Sequence, residues 1–552
     1  MKLNKQDVHL ALALFCLLTS FYWLTASAHT YIADGETMYA VTEGLVERGT
    51  FKQPMTGGAC DFPRAVVPAP DGHFYAITSP LQSLLSIPFY LIGRWVATSF
   101  FPAPFYAYFT RFFVLLFNSP VHAATVALLY LFGVDLGYRQ RTSLFLALTY
   151  GLATIGWPYA RTFYAETLLI FWLVLTAWAA YRYTCTDRWQ WMAVAGGALG
   201  LGVATKYVMS IAGVAFAFYF LLKFWRKEDW RARRQWATRT LLAGAIPFLL
   251  IVALLFVFNY VRFGDFLETG YTGDSARGAV TTWAEKATPL TSWYGYLFSS
   301  GKGYFFFSPP AILILWSVYA LLRRRPAEMG LFAALALSYP FFYSFVTAAW
   351  HGGGNWGPRY IVCITPFLLL PIGAFLERRD IARWLRVGSA TLLFALGFSI
   401  QLSTVFVNYS TYLFSDISAD RQRWQPADST LLAQWRLWPQ RVQAWQRYDH
   451  SLRLSAQDFY VIDRGFYEVE IAEMAPFGRW MQENSRLYLY ANPKQTFAFQ
   501  ITYSRPRPSS GEAEMWEGLH FEYDGQVVLS ERRLLTENER ERQWAETVTL
   551  PA

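Results

Sequence analysis

Apolar runs about 20 residues long recur from Val8 to about Tyr409 and then stop. A helix of that length crosses the roughly 30 Å hydrocarbon core of a bilayer. The pattern therefore predicts a polytopic α-helical membrane protein with about eleven transmembrane helices. The runs cover 8–28, 108–134, 144–157, 165–183, 191–222, 241–261, 304–322, 331–349, 360–376 and 387–407, the 191–222 run being long enough for two shorter helices. A further apolar stretch at 79–100 contains Pro80, Pro88 and Arg94. A span there would reverse the side of every later loop, so it is read as a helix lying in the outer interface.

After residue 409 the pattern changes. Arg486–Tyr490, Thr496–Tyr503 and His520–Tyr523 are rich in aromatic and β-branched residues in near-alternation, which signals strands. Asn492-Pro493 and Arg507–Gly511 supply breaks. The expected organisation is a membrane domain over 1–410, with a first outer loop at 29–107, and a mainly β extracytoplasmic domain over 411–552.

Charge orients the spans. Basic residues gather in short segments between runs: Arg139 and Arg141; Arg182 and Arg188; Lys223 to Arg239; Arg323 to Arg325; Arg378 to Arg386. With the N-terminus inside and the first helix uncleaved, all of these clusters fall on the cytoplasmic side. The loops at 29–107, 262–303 and 350–359, and the tail, then face the periplasm or exterior. Hydrophobic residues make up 54% of the chain and charged ones 16%, against about 25% in soluble domains. The net charge of +9 is accounted for by these loops, so no nucleic-acid partner is expected. Four scattered cysteines without a CxxC pair indicate neither a zinc site nor a disulfide framework.

Candidate chemistry lies on the outer side. Asp34-Gly35-Glu36 follows the first run and opens a helical pattern. A carboxylate there suits a general base acting on an acceptor hydroxyl, and it equally suits a helix cap. Arg161, Lys206, Arg262, Lys302 and Arg359 stand at outer helix ends, where cations ordinarily snorkel to the interface. Lys206 lies inside an apolar stretch and needs an anionic partner, either a phosphate or Glu166. Two loops are rich in glycine and aromatics: Gly301–Pro310, and Trp350–Tyr360 with His351, Asn355 and Trp356. Glycines allow a backbone to turn tightly beside a ligand, and aromatic rings face sugars or anchor at the interface.

These residues, in this order, resemble bacterial membrane glycosyltransferases of the GT-C superfamily, the class of protein O-mannosyltransferases and lipid A aminoarabinose transferases. The resemblance covers about residues 8 to 410. It rests on the acidic first loop with Tyr39–Thr50, Tyr75–Tyr90, Trp157–Glu166, Thr205-Lys206, Asn259–Gly264, Gly301–Tyr304 with Ser308-Pro309, and Trp356–Tyr360. It implies a sugar carried on polyprenyl phosphate and a hydroxyl acceptor (lipid, polysaccharide or protein) deprotonated by the first-loop carboxylate. Transfer would proceed with inversion at the outer face of the cytoplasmic membrane.

It further implies Asp34 or Glu36 as base, and Lys206, Lys302, Arg359 and Arg161 as phosphate ligands. Tyr39, Tyr75, Glu166, His351, Asn355 and Trp356 are then expected to line the substrates. Relatives often carry adjacent Asp-Glu, whereas here Gly35 separates the two acids, so the base stays open between them. The first loop offers no cation cage, and no metal or cofactor is expected. The alternative is a transporter or lipid-linked sugar flippase, but such proteins tend to show internal repeats and ionisable residues at the midplane. This chain collects its polar residues at one face.

Overall fold

The computed structural model describes residues 4–26, 33–53, 65–101, 106–227, 229–271, 288–413 and 417–451, and six strands between 459 and 549. Among these residues, eight helical stretches are long and apolar enough to cross a membrane: Lys5–Leu24, Tyr106–Asp135, Ala165–Thr186, Tyr207–Trp225, Trp230–Phe263, Pro326–Val346, Arg359–Leu376 and Arg383–Phe406. The chain is a multi-pass helical membrane protein.

Three other expected spans are present as shorter or broken helices. Gln140–Leu152 has 13 residues and so rises only about 20 Å. Trp189–Thr205 has 17. The run at 304–322 divides into Tyr304–Phe307, Pro309–Leu313 and Ile314–Arg324, because Pro309 and Pro310 each remove a backbone donor.

Up to residue 263 the helices are α1 (Lys5–Leu24), α2 (Ala33–Glu47), α3 (Leu81–Leu85), α4 (Ile87–Phe100), α5 (Tyr106–Leu115), α6 (Asn118–Asp135), α7 (Gln140–Leu152), α8 (Gly156–Ala160), α9 (Ala165–Thr186), α10 (Trp189–Thr205), α11 (Ala212–Trp225) and α12 (Trp230–Phe263). The stretch expected to lie in the interface is α3 with α4. The 14 residues of α4 bury Tyr90, Gly93 and Ala97 and expose Leu91, Trp95 and Phe100, and at about 21 Å the helix is too short to cross. The first loop also holds a small antiparallel sheet in the order β1 (Lys52–Gln53), β3 (Phe74–Ala76), β2 (Val66–Pro68).

Helices α6 and α9 bury most of their residues, which form one core with the 359–376 segment. By contrast α12 turns Leu241, Leu249, Leu250 and Leu254 outward, each more than half exposed, as a helix facing lipid does. It packs on α10 through glycines: a Cβ on Gly196 would lie 2.0 Å from the Gly244 carbonyl oxygen, so only glycine fits.

The chain divides into two compact units, Met1–Ala444 and Trp445–Ala552. Residues just beyond 410 still pack on the first unit, where Gly301 N–H donates to the Arg423 carbonyl at 3.1 Å. In the second unit the backbone forms three antiparallel strand pairs, β4 (Phe459–Glu470) with β5 (Gly478–Tyr490), β6 (Thr496–Ser504) with β9 (Glu541–Thr549), and β7 (Trp516–Tyr523) with β8 (Gln526–Leu534). The sequence breaks at Asn492-Pro493 and Arg507–Gly511 lie outside the described residues.

Candidate active site

Asp34 and Glu36 both lie in the first turn of α2, where the helix dipole favours carboxylates. Two residues apart on a helix is about 200° of rotation, so the two acids point to different sides and meet different cations. Glu36 is 1% exposed and forms a bidentate pair with Arg111 of α5: Nη2 reaches Oε1 at 2.9 Å and Nη1 donates to Oε2. The Arg111 guanidinium lies 4.4 Å from the Tyr39 ring centroid, and the Tyr39 hydroxyl is 3.1 Å from Thr110 Oγ1.

Asp34 instead meets Arg359, whose Nη2 donates to its Oδ2 at 2.6 Å. Arg359 opens the 3-10 turn Arg359–Ile364 directly after the glycine-rich loop. Its Nε donates to Glu166 Oε1 at 2.7 Å. That same oxygen accepts from Lys206 Nζ at 2.7 Å. Glu166 begins α9 and Lys206 follows the last residue of α10, so each charge stands at the helix end its sign favours. The second Glu166 oxygen, Oε2, is buried with no hydrogen-bond partner among the described residues. Arg359 also lies 5.0 Å from the Tyr164 ring, and Lys206 Nζ 6.0 Å from that of Tyr360. Tyr360 in turn stacks on Tyr343 at 4.3 Å.

The loop feeding Arg359 takes positive φ at Gly352 (79°), Gly353 (83°) and Gly357 (62°), conformations that side chains oppose. Lys302 Nζ sits within it, donating to the carbonyls of Gly353 at 2.9 Å, Asn355 at 2.5 Å and Gly357 at 3.2 Å. Asn355 accepts from the Tyr164 hydroxyl at 2.6 Å and donates to the Gly352 carbonyl. His351 Nδ1 accepts from Gly353 N–H at 3.0 Å, and its Nε2 lies 3.0 Å from Arg423 Nη1. Burial, with Lys302 and Arg423 nearby, holds the His351 pKa at about 3, so the imidazole is neutral at physiological pH.

The structure thus brings Asp34, Glu166, Lys206 and Arg359 into one chain of ion pairs, with Asn355 one residue behind it through Tyr164. It places Glu36 and Tyr39 in a separate cluster around Arg111. Arg161 donates to the Thr25 carbonyl and, at 2.9 Å, to that of Thr404, tying the ends of α1 and of Arg383–Phe406. Trp356 is fully buried and donates to Gln401 Oε1 at 3.0 Å. Tyr75 donates to Asp71 Oδ2 at 2.8 Å, and the next carbonyl, Ala76, accepts from Arg262 at 2.6 Å.

Sequence reasoning missed Arg111 and Tyr164. A lone arginine in the apolar run Tyr106–Leu115 was a readable signal, because such a charge requires a partner. Tyr164 stood unremarkable beside Glu166. Among the described residues no group of three or more His, Cys, Asp and Glu side chains could hold a metal ion.

Residues 102–256 match the dolichyl-phosphate-mannose-protein mannosyltransferase family. No curated protein matches the chain. Among solved structures, ArnT from Cupriavidus metallidurans bound to undecaprenyl phosphate is 14% identical with a TM-score of 0.50, covering 80% of this chain and 72% of its own. The apo form of that protein gives 14%, 0.46, 73% and 67%. The apo oligosaccharyltransferase of Archaeoglobus fulgidus gives 11%, 0.43, 73% and 60%. The chain carries the fold of the GT-C superfamily glycosyltransferases, with a mannosyltransferase family match over residues 102–256, as its sequence motifs imply.

Proposed function

We propose that this protein is an inverting glycosyltransferase that moves a sugar from a polyprenyl-phosphate donor to a hydroxyl acceptor at the outer face of the cytoplasmic membrane. One observation carries the reading: the run Asp34–Arg359–Glu166–Lys206, which joins a first-loop carboxylate to two cations.

Its formal charges sum to zero, two carboxylates against two cations. An arriving phosphate therefore displaces one of the acids, and the two differ in how firmly they are held. Glu166 is 3% exposed and grips both cations, whereas the Asp34 side chain is 34% exposed and, among the described residues, pairs with Arg359 Nη2 alone. Phosphate takes that Nη2 and the remaining Lys206 donors while Glu166 keeps Arg359 Nε. Asp34, released beside the sugar, accepts the proton of the acceptor hydroxyl. That oxygen bonds to the anomeric carbon as the bond to phosphate breaks, and the phosphate leaves as an anion held by Arg359 and Lys206.

A short part of the lipid tail has a candidate site. An apolar cavity of about 160 Å³ lies among α9, α10, α11 and α12, lined by Leu199, Gly196 and Met192 of α10 and Phe216, Gly244 and Phe248 of its neighbours. Leu199 is seven residues, about 10 Å, from Lys206 along α10.

The test is Asp34→Asn expressed in a strain lacking the native protein. The expected result is accumulation of the lipid-linked sugar in the outer leaflet, with the variant at wild-type level in the membrane. Full transfer by the variant refutes Asp34 as base. Accumulation in the inner leaflet points instead to a flippase.

A further inference from the structure

Lys302 does something other than what its place beside a membrane surface suggests. Its side chain is 3% exposed, and its three carbonyl contacts use all three ammonium hydrogens. No donor remains for a phosphate. The three acceptors come from alternate residues of one glycine-rich loop, a geometry in which every second carbonyl turns toward a single point. Such a loop has no ladder of its own to hold it, and Gly352, Gly353 and Gly357 take left-handed φ values, at residues whose backbone has the most freedom to leave them.

We propose that Lys302 is a positioning residue: its ammonium cross-links the carbonyls of residues 353, 355 and 357 and so fixes Arg359 where Asp34, Glu166 and the donor phosphate can reach it. The role rests on the reading of Arg359 as a phosphate ligand. The loop transmits the constraint directly. A Cβ on Gly352 would lie 2.8 Å from Arg359 Cβ, so the far end of the loop folds against Arg359 itself. Asn355, whose carbonyl Lys302 holds, braces the Tyr164 ring beneath the guanidinium.

Lys302 is in turn anchored from the other side. Its N–H donates to Ser299 Oγ at 3.0 Å, and that hydroxyl donates to the Arg423 carbonyl at 2.7 Å. The tie therefore runs from residue 423 through the 299–302 turn to the loop.

The charged and titratable groups facing this ammonium are His351, neutral as described, and Arg423, which is itself held by Asp420 at 2.5 Å. Burial and Arg423 push the Lys302 pKa down to about 7. A neutral amine has two N–H groups for three carbonyls, so the tie weakens as pH rises through that value.

The experiment uses the full chain in detergent micelles. Hydrogen–deuterium exchange reports on residues 350–360, and binding is measured with undecaprenyl phosphate as the probe. In Lys302→Met, loop exchange rises about tenfold while α9 and α12 exchange as in wild type, and undecaprenyl phosphate binds about tenfold more weakly. Lys302→Arg, which keeps the charge, recovers most of both.

A loop as protected in Lys302→Met as in wild type overturns the proposal. So does weakened binding with the loop still protected, which makes Lys302 a direct phosphate ligand. If Lys302→Met does not fold, the wild type decides: loop protection, corrected for intrinsic exchange, falls between pH 6 and 9, and constant protection overturns the tie. Wild-type protein that fails to bind undecaprenyl phosphate sinks the donor reading instead, leaving loop exchange to judge Lys302.

Discussion

The two ends of α9 hold charged clusters of opposite character. At its beginning Glu166 shares one oxygen between Lys206 and Arg359, and the other has no hydrogen-bond partner among the described residues. Sixteen residues on, about 24 Å along the helix, Arg182 pairs with Asp135 at 2.8 Å. There Trp178 Nε1 donates to the same Asp135 oxygen at 2.8 Å. The guanidinium also lies against the Trp178 and Trp191 rings, at 4.9 and 4.7 Å. The second cluster is closed: one cation, one anion, and aromatic walls. The first is an open series with an acid about one third exposed at its end and, among the described residues, an unpartnered oxygen in its middle. A closed pair fixes helices together, whereas an open series can exchange a partner for an incoming anion.

The comparison can be broken at either end. The largest effect is expected from Asp34→Asn, which removes the proposed general base and lowers transfer about a thousandfold at unchanged protein level, read by single-turnover transfer in vesicles. Arg182→Gln strands Asp135 and costs about 3 kcal/mol of stability. Thermal unfolding measures that loss, and the rate per folded molecule stays at the wild-type value. Glu36→Gln belongs with Arg182→Gln: because its pair with Arg111 is bidentate and buried, its cost appears in unfolding and not in the chemical step. An Arg359→Lys variant keeps the charge but cannot serve two carboxylates from Nε and Nη2; transfer falls about a hundredfold, with binding of undecaprenyl phosphate as the check. The smallest expected effect is that of Gly353→Ala. Nothing lies nearer than Asn355 Nδ2 at 3.7 Å, so only the φ of 83° is penalised, at about 1 kcal/mol. A severe loss of transfer in that variant would show the loop to be far less tolerant than its open space indicates.

Much of the fold was legible because a bilayer demands long apolar runs, and a run is a local property. Lys5–Leu24, Ala165–Thr186 and Arg383–Phe406 all fall where the pattern placed them. The count was less legible. Hydrophobicity marks residues 144–157 and 304–322 as spans without saying that α7 is 13 residues long or that Pro309-Pro310 divides the second run. At the candidate site, Asp34, Glu166, Lys206 and Arg359 were each visible as a charge at a helix end. Arg161 and Lys302 looked identical to them by that test, yet the structure ties both to backbone carbonyls.

By itself the sequence determined the kind of protein, through run length and the segregation of basic residues, and it named the charged groups that need a partner. Only tertiary structure decided which partner each group found. Arg359 lies 325 residues from Asp34 and 193 from Glu166, and no local pattern encodes a contact across that distance. Burial settled the rest: in a medium without water a charge must be matched, and the packing of distant helices determines which match is within reach.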